Sequence, residues 1–257
     1  MSASTLTLIK HDHFHSAFLP DDRDVTVFLP PGYGAVPGRR YPVLYLHDGQ
    51  NLFDPHVAFK TGEHWRVGET ATALIEAGRM PPLIIVGINN TGLWRLDEYT
   101  PTHDRHRGGG RADAYGRLLV EELKPFIDSR YLTLPDAGHT GLGGSSLGGL
   151  VSLYLGLKYP DVFSRLAIMS PSVWWDRRTI LRNVRDAQPK PPLRIWVDVG
   201  RREGERHVEN ARLLKTGLEK QGWIEGTDLH YEETAGGSHT EAAWADRFDR
   251  VLMFLFA

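Results

Sequence analysis

His139 to Gly148 reads His-Thr-Gly-Leu-Gly-Gly-Ser-Ser-Leu-Gly, and its last five residues fit the pattern G-x-S-x-G. An extended stretch, His139 to Leu142, leads in, and a helical pattern, Leu147 to Lys158, leads out. That strand–turn–helix context is what the pattern needs to carry chemistry. A nucleophilic serine must stand on a tight turn above the sheet, and side chains two positions either side would strike the strand and helix. Ser146 is therefore the candidate nucleophile, and the N–H of Leu147, at the start of the new helix, faces a developing oxyanion. The pattern alone is weak in a chain with 27 glycines. Gly141, Gly143 and Ser146 nearly spell a dinucleotide fingerprint, but the last glycine is missing, as is an acidic residue about 20 positions on.

Working outward, Val43–Leu46, Leu83–Ile88, Leu166–Met169 and Ile195–Val199 are short apolar runs, the texture of parallel strands buried on both faces. Thr5–Lys10 and Asp24–Leu29 alternate polar and apolar residues instead, which predicts antiparallel strands at the start of the sheet. Helical patterns fill the intervals at Trp65–Ala77, Ala112–Ile127, Arg206–Gln221 and Glu241–Phe256. The alternation predicts a mostly parallel central sheet with helices on both faces, in one domain spanning residues 1–257. Two long segments follow strands, Gly49–Gly62 and Asn89–Gly110, at the end of the sheet where α/β crevices lie. They are expected to wall the site.

In the hydrolase arrangement the order along the chain is serine, acid, histidine. Leu229–Thr234 reads as the last strand, and Gly236-Gly237-Ser238-His239 follows before the final helix. Of the 12 histidines His239 alone has that placement, which makes it the candidate base. The acid should follow the preceding strand. Glu203, in the turn after Gly200, is preferred over Glu205, and Asp198 lies inside the strand, too deep to reach an imidazole. Ser146, Glu203 and His239 on such a sheet predict an α/β-hydrolase fold.

Net charge is -2, with 30 basic against 32 acidic residues, which favours neither nucleic acid nor an anionic membrane as partner. No cysteine is present, excluding disulfides and thiol nucleophiles. Met1–His15 lacks the basic-then-apolar pattern of an export signal, and no run approaches the roughly 20 apolar residues of a membrane helix. A cytoplasmic location is the expectation, and oligomeric state is unreadable.

Tyr45-Leu46-His47-Asp48-Gly49-Gln50-Asn51-Leu52-Phe53-Asp54, Glu98-Tyr99-Thr100-Pro101, the Ser146 turn, Ser170-Pro171-Ser172-Val173-Trp174-Trp175 and Gly236–Trp244 occur in this order. Together they resemble the putative-esterase family, which holds enterochelin-esterase-like proteins, feruloyl and acetylxylan esterases and mycolyl transferases. The likeness runs from about Asp24 to Leu255. It implies a carboxylic ester hydrolase working through an acyl-enzyme on a small-molecule ester, without metal or organic cofactor. It supports Ser146 and His239, favours Glu203 as acid, and implies the N–H of Gln50 as second oxyanion donor. Some siderophore esterases of the family are thought to use only a Ser–His dyad, so the part played by the acid stays open. Acyl transfer on the same residues and a catalytically silent binding module are the alternatives, with a metal-dependent hydrolase a third.

Trp174 and Trp175, after a strand, are candidates for an aromatic wall or for core, one of each. Arg95 and Tyr99 are candidates for substrate contact, unless Arg95 and Glu98-Tyr99 pair with each other. His11, His13 and His15 alternate, and His103, Asp104 and His106 cluster in a loop. Both groups are read as solvated rather than metal-binding.

Overall fold

The computed structural model describes residues 6–257. Eight strands form one sheet in the order β1-β2-β4-β3-β5-β6-β7-β8. They are β1 (Thr7–Phe14), β2 (Arg23–Leu29), β3 (Val43–His47), β4 (Ile84–Ile88), β5 (Thr140–Ser145), β6 (Arg165–Met169), β7 (Arg194–Gly200) and β8 (Leu229–Thr234). β1 pairs antiparallel with β2, and β2 with β4; every other pairing is parallel. The fold is α/β, with the antiparallel strands at the amino end as the alternating patterns predicted. Thr5, the start of the first expected strand, lies outside the described residues, as do Met1–Ser4.

The helices are α1 (Val67–Glu76), α2 (Arg95–Glu98), α3 (Ala112–Arg117), α4 (Lys124–Arg130), α5 (Leu147–Lys158), α6 (Trp175–Asp186), α7 (Glu205–Lys220), α8 (Glu241–Ala245) and α9 (Phe248–Phe256). A π-helical stretch, Leu118–Leu123, joins α3 to α4. Strand residues alternate between two cores, as a period of two demands. Val43, Tyr45, Leu166, Ile168, Ile195 and Val197 face the layer of α3–α7. Leu44, Leu46, Ala167, Met169 and Trp196 face α1, α8 and α9.

Two expectations need correction. Glu241–Phe256 is two helices, broken at Asp246–Arg247, where the Arg247 guanidinium turns inward to a carboxylate on β7. Residues 175–186, expected as loop at their start, are helical, with a left-handed kink at Asp176, Arg177 and Arg178. Their charged sequence hides a short apolar stripe, Ile180 and Val184, four residues apart.

Candidate active site

The site lies at the carboxyl ends of the parallel strands. β5 ends at Ser145 and α5 begins at Leu147; Ser146 between them has φ 58° and ψ −119°, a conformation that L residues rarely adopt. Its neighbours explain why the turn can be so tight. A Cβ on Gly144 would lie 3.2 Å from the Gly148 backbone and from His47 Cβ, so a side chain there would wedge strand and helix apart. Backbone bonds clamp the turn on both sides: Ser146 N–H donates to the Met169 carbonyl (3.0 Å), and its carbonyl accepts from Ser172 N–H (2.9 Å). The hydroxyl is half-buried, with Ser172 Oγ 3.3 Å away as its hydrogen-bond partner.

His239 occupies the loop between β8 and α8. Its Nδ1 lies 2.8 Å from Glu203 Oε2, and its ring packs edge-on against Trp244 (centroids 4.9 Å) and stacks on His207 (5.5 Å, 17° between planes). The two loops are locked together by close approach. A Cβ on Gly200 would fall 2.3 Å from the Gly237 carbonyl oxygen, and Arg202 N–H donates to that oxygen at 2.9 Å.

Glu203 is nearly covered. Its Oε1 accepts from Gly200 N–H (2.7 Å) and Ser170 Oγ (2.5 Å). Burial alone would raise its carboxyl; the bonds from His239, Ser170 and Gly200 outweigh that and hold it below the ordinary range. Beneath it Arg247 donates to Asp198 Oδ1 (2.9 Å) and to Ser170 Oγ (2.7 Å), with both charged side chains sealed from solvent. Burial pushes the Asp198 carboxyl up, against the pull of Arg247 and Trp196. Asp198 thus lies too deep for the imidazole, and Glu205 begins α7 beyond it.

Across the cleft Asp48 adopts φ 57° at the end of β3. Arg95 grips it through two bonds (2.7 and 2.8 Å) and Asn90 through a third (2.6 Å). Burial opposes ionisation of Asp48, but Arg95 and Asn90 hold its carboxyl below the ordinary range. This pairing ties the two expected wall loops together and places Gln50 one residue beyond Gly49. Among the described residues neither Gln50 N–H nor Leu147 N–H has a hydrogen-bond acceptor. His47, sealed beneath the turn beside Tyr115, is driven down to about 3 by burial, so it is neutral at pH 7.

Ser146, His239, Gln50, Arg95 and Trp244 border one cleft of about 360 Å³, with Trp65 and the exposed Phe59 adding apolar wall. Other expected contacts lie elsewhere. Tyr99 and Trp175 are fully buried: the Tyr99 hydroxyl meets Asp48 N–H (3.3 Å), and Trp175 Nε1 donates to the Thr102 carbonyl. Trp174 borders a neighbouring cleft of about 400 Å³ beneath the Arg107 guanidinium. Arg95 does pair with Tyr99, its guanidinium lying 5.1 Å from the ring centroid, but not with Glu98, which is held by buried Arg23. A larger open groove along α7, about 770 Å³, is walled by arginines and glutamates that include the Arg212–Glu233 and Arg201–Glu233 pairs, a solvated charged face.

His11 bonds to the Tyr131 hydroxyl and His15 to Asp22, so the alternating histidines do not converge. His103 turns to the Gly109 carbonyl while Asp104 accepts the N–H groups of His106 and Arg107. Among the described residues the cluster of potential metal ligands is Glu203, His207 and His239. Sequence reading assigned no role to Ser170, Arg247 or His207, although Ser170 opens one of the quoted motifs. Asp198 inside an apolar run was the one signal that a buried cation had to come from somewhere.

Sheet order and the sharp turn between β5 and α5 define the α/β-hydrolase fold. The sequence profile of the family described as Putative esterase matches residues 16–255, and the chain belongs to that family, as a carboxylic ester hydrolase. The uncharacterized protein YbbA of Bacillus subtilis is 26% identical over 248 residues, 91% of this chain and 93% of its own length. The iron(III) enterobactin esterase of Escherichia coli K12 is 28% identical over 176 residues, covering 64% of this chain and 42% of that protein. A solved ferulic acid esterase shares the fold, with a TM-score of 0.75 at 20% identity over 97% of this chain and 98% of that one. Among the described residues no helix is long and apolar enough to cross a membrane.

Proposed function

We propose that this esterase works through an acyl-enzyme on Ser146, with His239 as general base and acid and Glu203 as its orienting carboxylate. The observation that carries the reading is the 2.8 Å contact of Glu203 Oε2 with His239 Nδ1, made beside a serine held at positive φ in the same cleft. A carboxylate only accepts, so the ring proton sits on Nδ1 and Nε2 keeps the lone pair a base requires. As substrate enters, the Ser146 hydroxyl leaves Ser172 for His239, a tightening common on forming the reactive complex. Oγ attacks the ester carbonyl while Nε2 takes its proton, and the N–H groups of Leu147 and Gln50 hold the oxyanion. His239 returns the proton to the leaving alkoxide, then takes one from the water that releases the acid. These steps draw on the chain's own side chains, two backbone N–H groups and water. A cleft of about 360 Å³ suits a small or medium ester, and relatives named as enterobactin and feruloyl esterases are compatible with an aryl one.

The test is hydrolysis of p-nitrophenyl esters from acetate to decanoate, with Ser146→Ala in parallel. Wild-type turnover that the variant loses is the expected result. Equal activity in both names the wrong nucleophile. No turnover, together with no labelling of Ser146 by a fluorophosphonate, indicates a silent binding module.

A further inference from the structure

The geometry points to an inhibitory zinc site on His207, His239 and Glu203. The inhibition, though not the binding, rests on His239 acting as base. One ligand atom from each of the three residues lies within 4.8 Å of the other two. Two imidazoles and a carboxylate are a donor set that Zn²⁺ favours and Mg²⁺ does not. His207 is prepared for the role. Its Nδ1 is 2.9 Å from the Glu203 carbonyl oxygen, an acceptor only, so in the neutral ring the proton sits there and Nε2 holds the free lone pair. A backbone carbonyl fixing the far nitrogen is the usual support of a metal-bound histidine. Imidazole lone pairs lie in the ring plane and the two rings are stacked 5.5 Å apart, so His239, which is partly exposed, turns to aim its nitrogen at the ion. Ligand atoms around tetrahedral zinc sit about 3.4 Å apart, so closing the site takes movements on the order of 1 Å. His207 also borders the neighbouring cleft, whose wall includes Asp104 and Asp176 beside Arg107, Arg177 and Arg206.

Occupation removes the base by simple proton accounting. If zinc takes Nε2 of His239, the lone pair is used directly. If it takes Nδ1, the ring's single proton moves to Nε2, and the lone pair is used again. No proton is lost from the ring in either case.

The experiment is zinc titration of the purified full chain by calorimetry, with ester hydrolysis followed over the same concentrations. Variants are His207→Phe, which keeps a ring against His239 but removes the nitrogens, and His207→Gln should the first not fold. One zinc per chain is expected, with inhibition over the same range that a chelator reverses and Mg²⁺ does not reproduce. In the His207 variant both the dissociation constant and the half-inhibiting concentration should rise roughly tenfold or more. Absence of zinc binding to wild type at millimolar concentration overturns the site, and so does unchanged affinity in the variant. Zinc bound alike by wild type and Ser146→Ala, and loosened in His207→Phe, upholds the site even if wild type hydrolyses no ester. In that case it is the role of His239 as base that fails.

Discussion

The hydroxyl of Ser170 has one proton and two lone pairs, and all three are used. It donates to Glu203 and accepts from Trp244 Nε1 (3.0 Å) and Arg247. Glu203 is thereby held by fixed dipoles before any substrate arrives, which is how a carboxylate orients an imidazole without cost at the moment of reaction. Glu203→Gln keeps the shape but offers His239 the wrong partner. Its kcat should fall on the order of 10²- to 10⁴-fold with KM little changed, read from p-nitrophenyl ester kinetics. A fall of less than tenfold would mean that serine and histidine suffice. The same carboxylate carries a pH signature. Its folded-state value lies below that of the unfolded chain, so as pH falls the unfolded chain takes the proton first. The stabilisation is whole above the ordinary carboxyl value of about 4.3 and is lost as pH drops through the folded value. The gap between the thermal melts of wild type and Glu203→Gln should therefore be full above about pH 4.3 and narrow progressively as pH falls below it. Ser146, His239 and Glu203 could be nominated from sequence because the order of strands and the glycine turns point to them. Ser170 and Arg247 could not, since they meet only when residues 77 positions apart are brought together by the fold.

Among the elements, β5 was the hardest to read and β8 the easiest. Thr140–Ser145 carries three glycines, a composition that local preference disfavours in a strand. It is extended because β3 and β6 pair with it on either side. Helix α5 shows Leu, Val and Leu against both sheet and neighbouring helices, so its limits matched its pattern. At α6 the pattern failed, because two adjacent arginines in left-handed conformation open the helix and nothing local requires them there. The junction of β7 and β8 offers a test of element-level positioning. Gly200 has φ −80°, which any residue can adopt, so Gly200→Ala is disfavoured only by contact with the Gly237 carbonyl and Glu203 Oε1. Prising the two loops apart by about 1 Å should lower kcat/KM by roughly 10²-fold while circular dichroism stays native. Unchanged kinetics would show that the loops adjust freely. A second test concerns the lash from α8–α9 to β7. Arg247→Leu strands a buried Asp198 and should cost about 3–5 kcal/mol in urea unfolding. The double change Arg247→Leu with Asp198→Leu should recover much of that loss; if it destabilises further, the pair is held by more than its charges.

At the scale of the molecule, each of the two cores draws on distant parts of the sequence. Trp65, just before α1, packs on Trp244 and Phe248 near the carboxyl end (5.7 and 5.8 Å between centroids). Arg23 at the start of β2 is sealed against Glu98 of α2 through two hydrogen bonds, and this joins the antiparallel edge to the cleft wall. Because β1 and β2 join the same sheet as the parallel strands, no sheet edge divides the described residues into halves. We propose from this wiring that the described residues unfold as one cooperative unit. The tryptophans sample both faces and the helix layers, with Trp65, Trp196 and Trp244 in one core and Trp175 and Trp223 in the other. Their fluorescence therefore follows both cores, while far-ultraviolet dichroism follows the backbone everywhere. In urea the two signals should trace a single coincident transition. The cleft is built from loops after β3, β4, β5 and β8, so it needs the whole sheet in place, and esterase activity should vanish at or before that transition and never after it. Two separated transitions would mean that the antiparallel strands, or the α7–β8 edge, form a unit of their own. The Arg23–Glu98 pair would then sit at the boundary and be the place to look for the break.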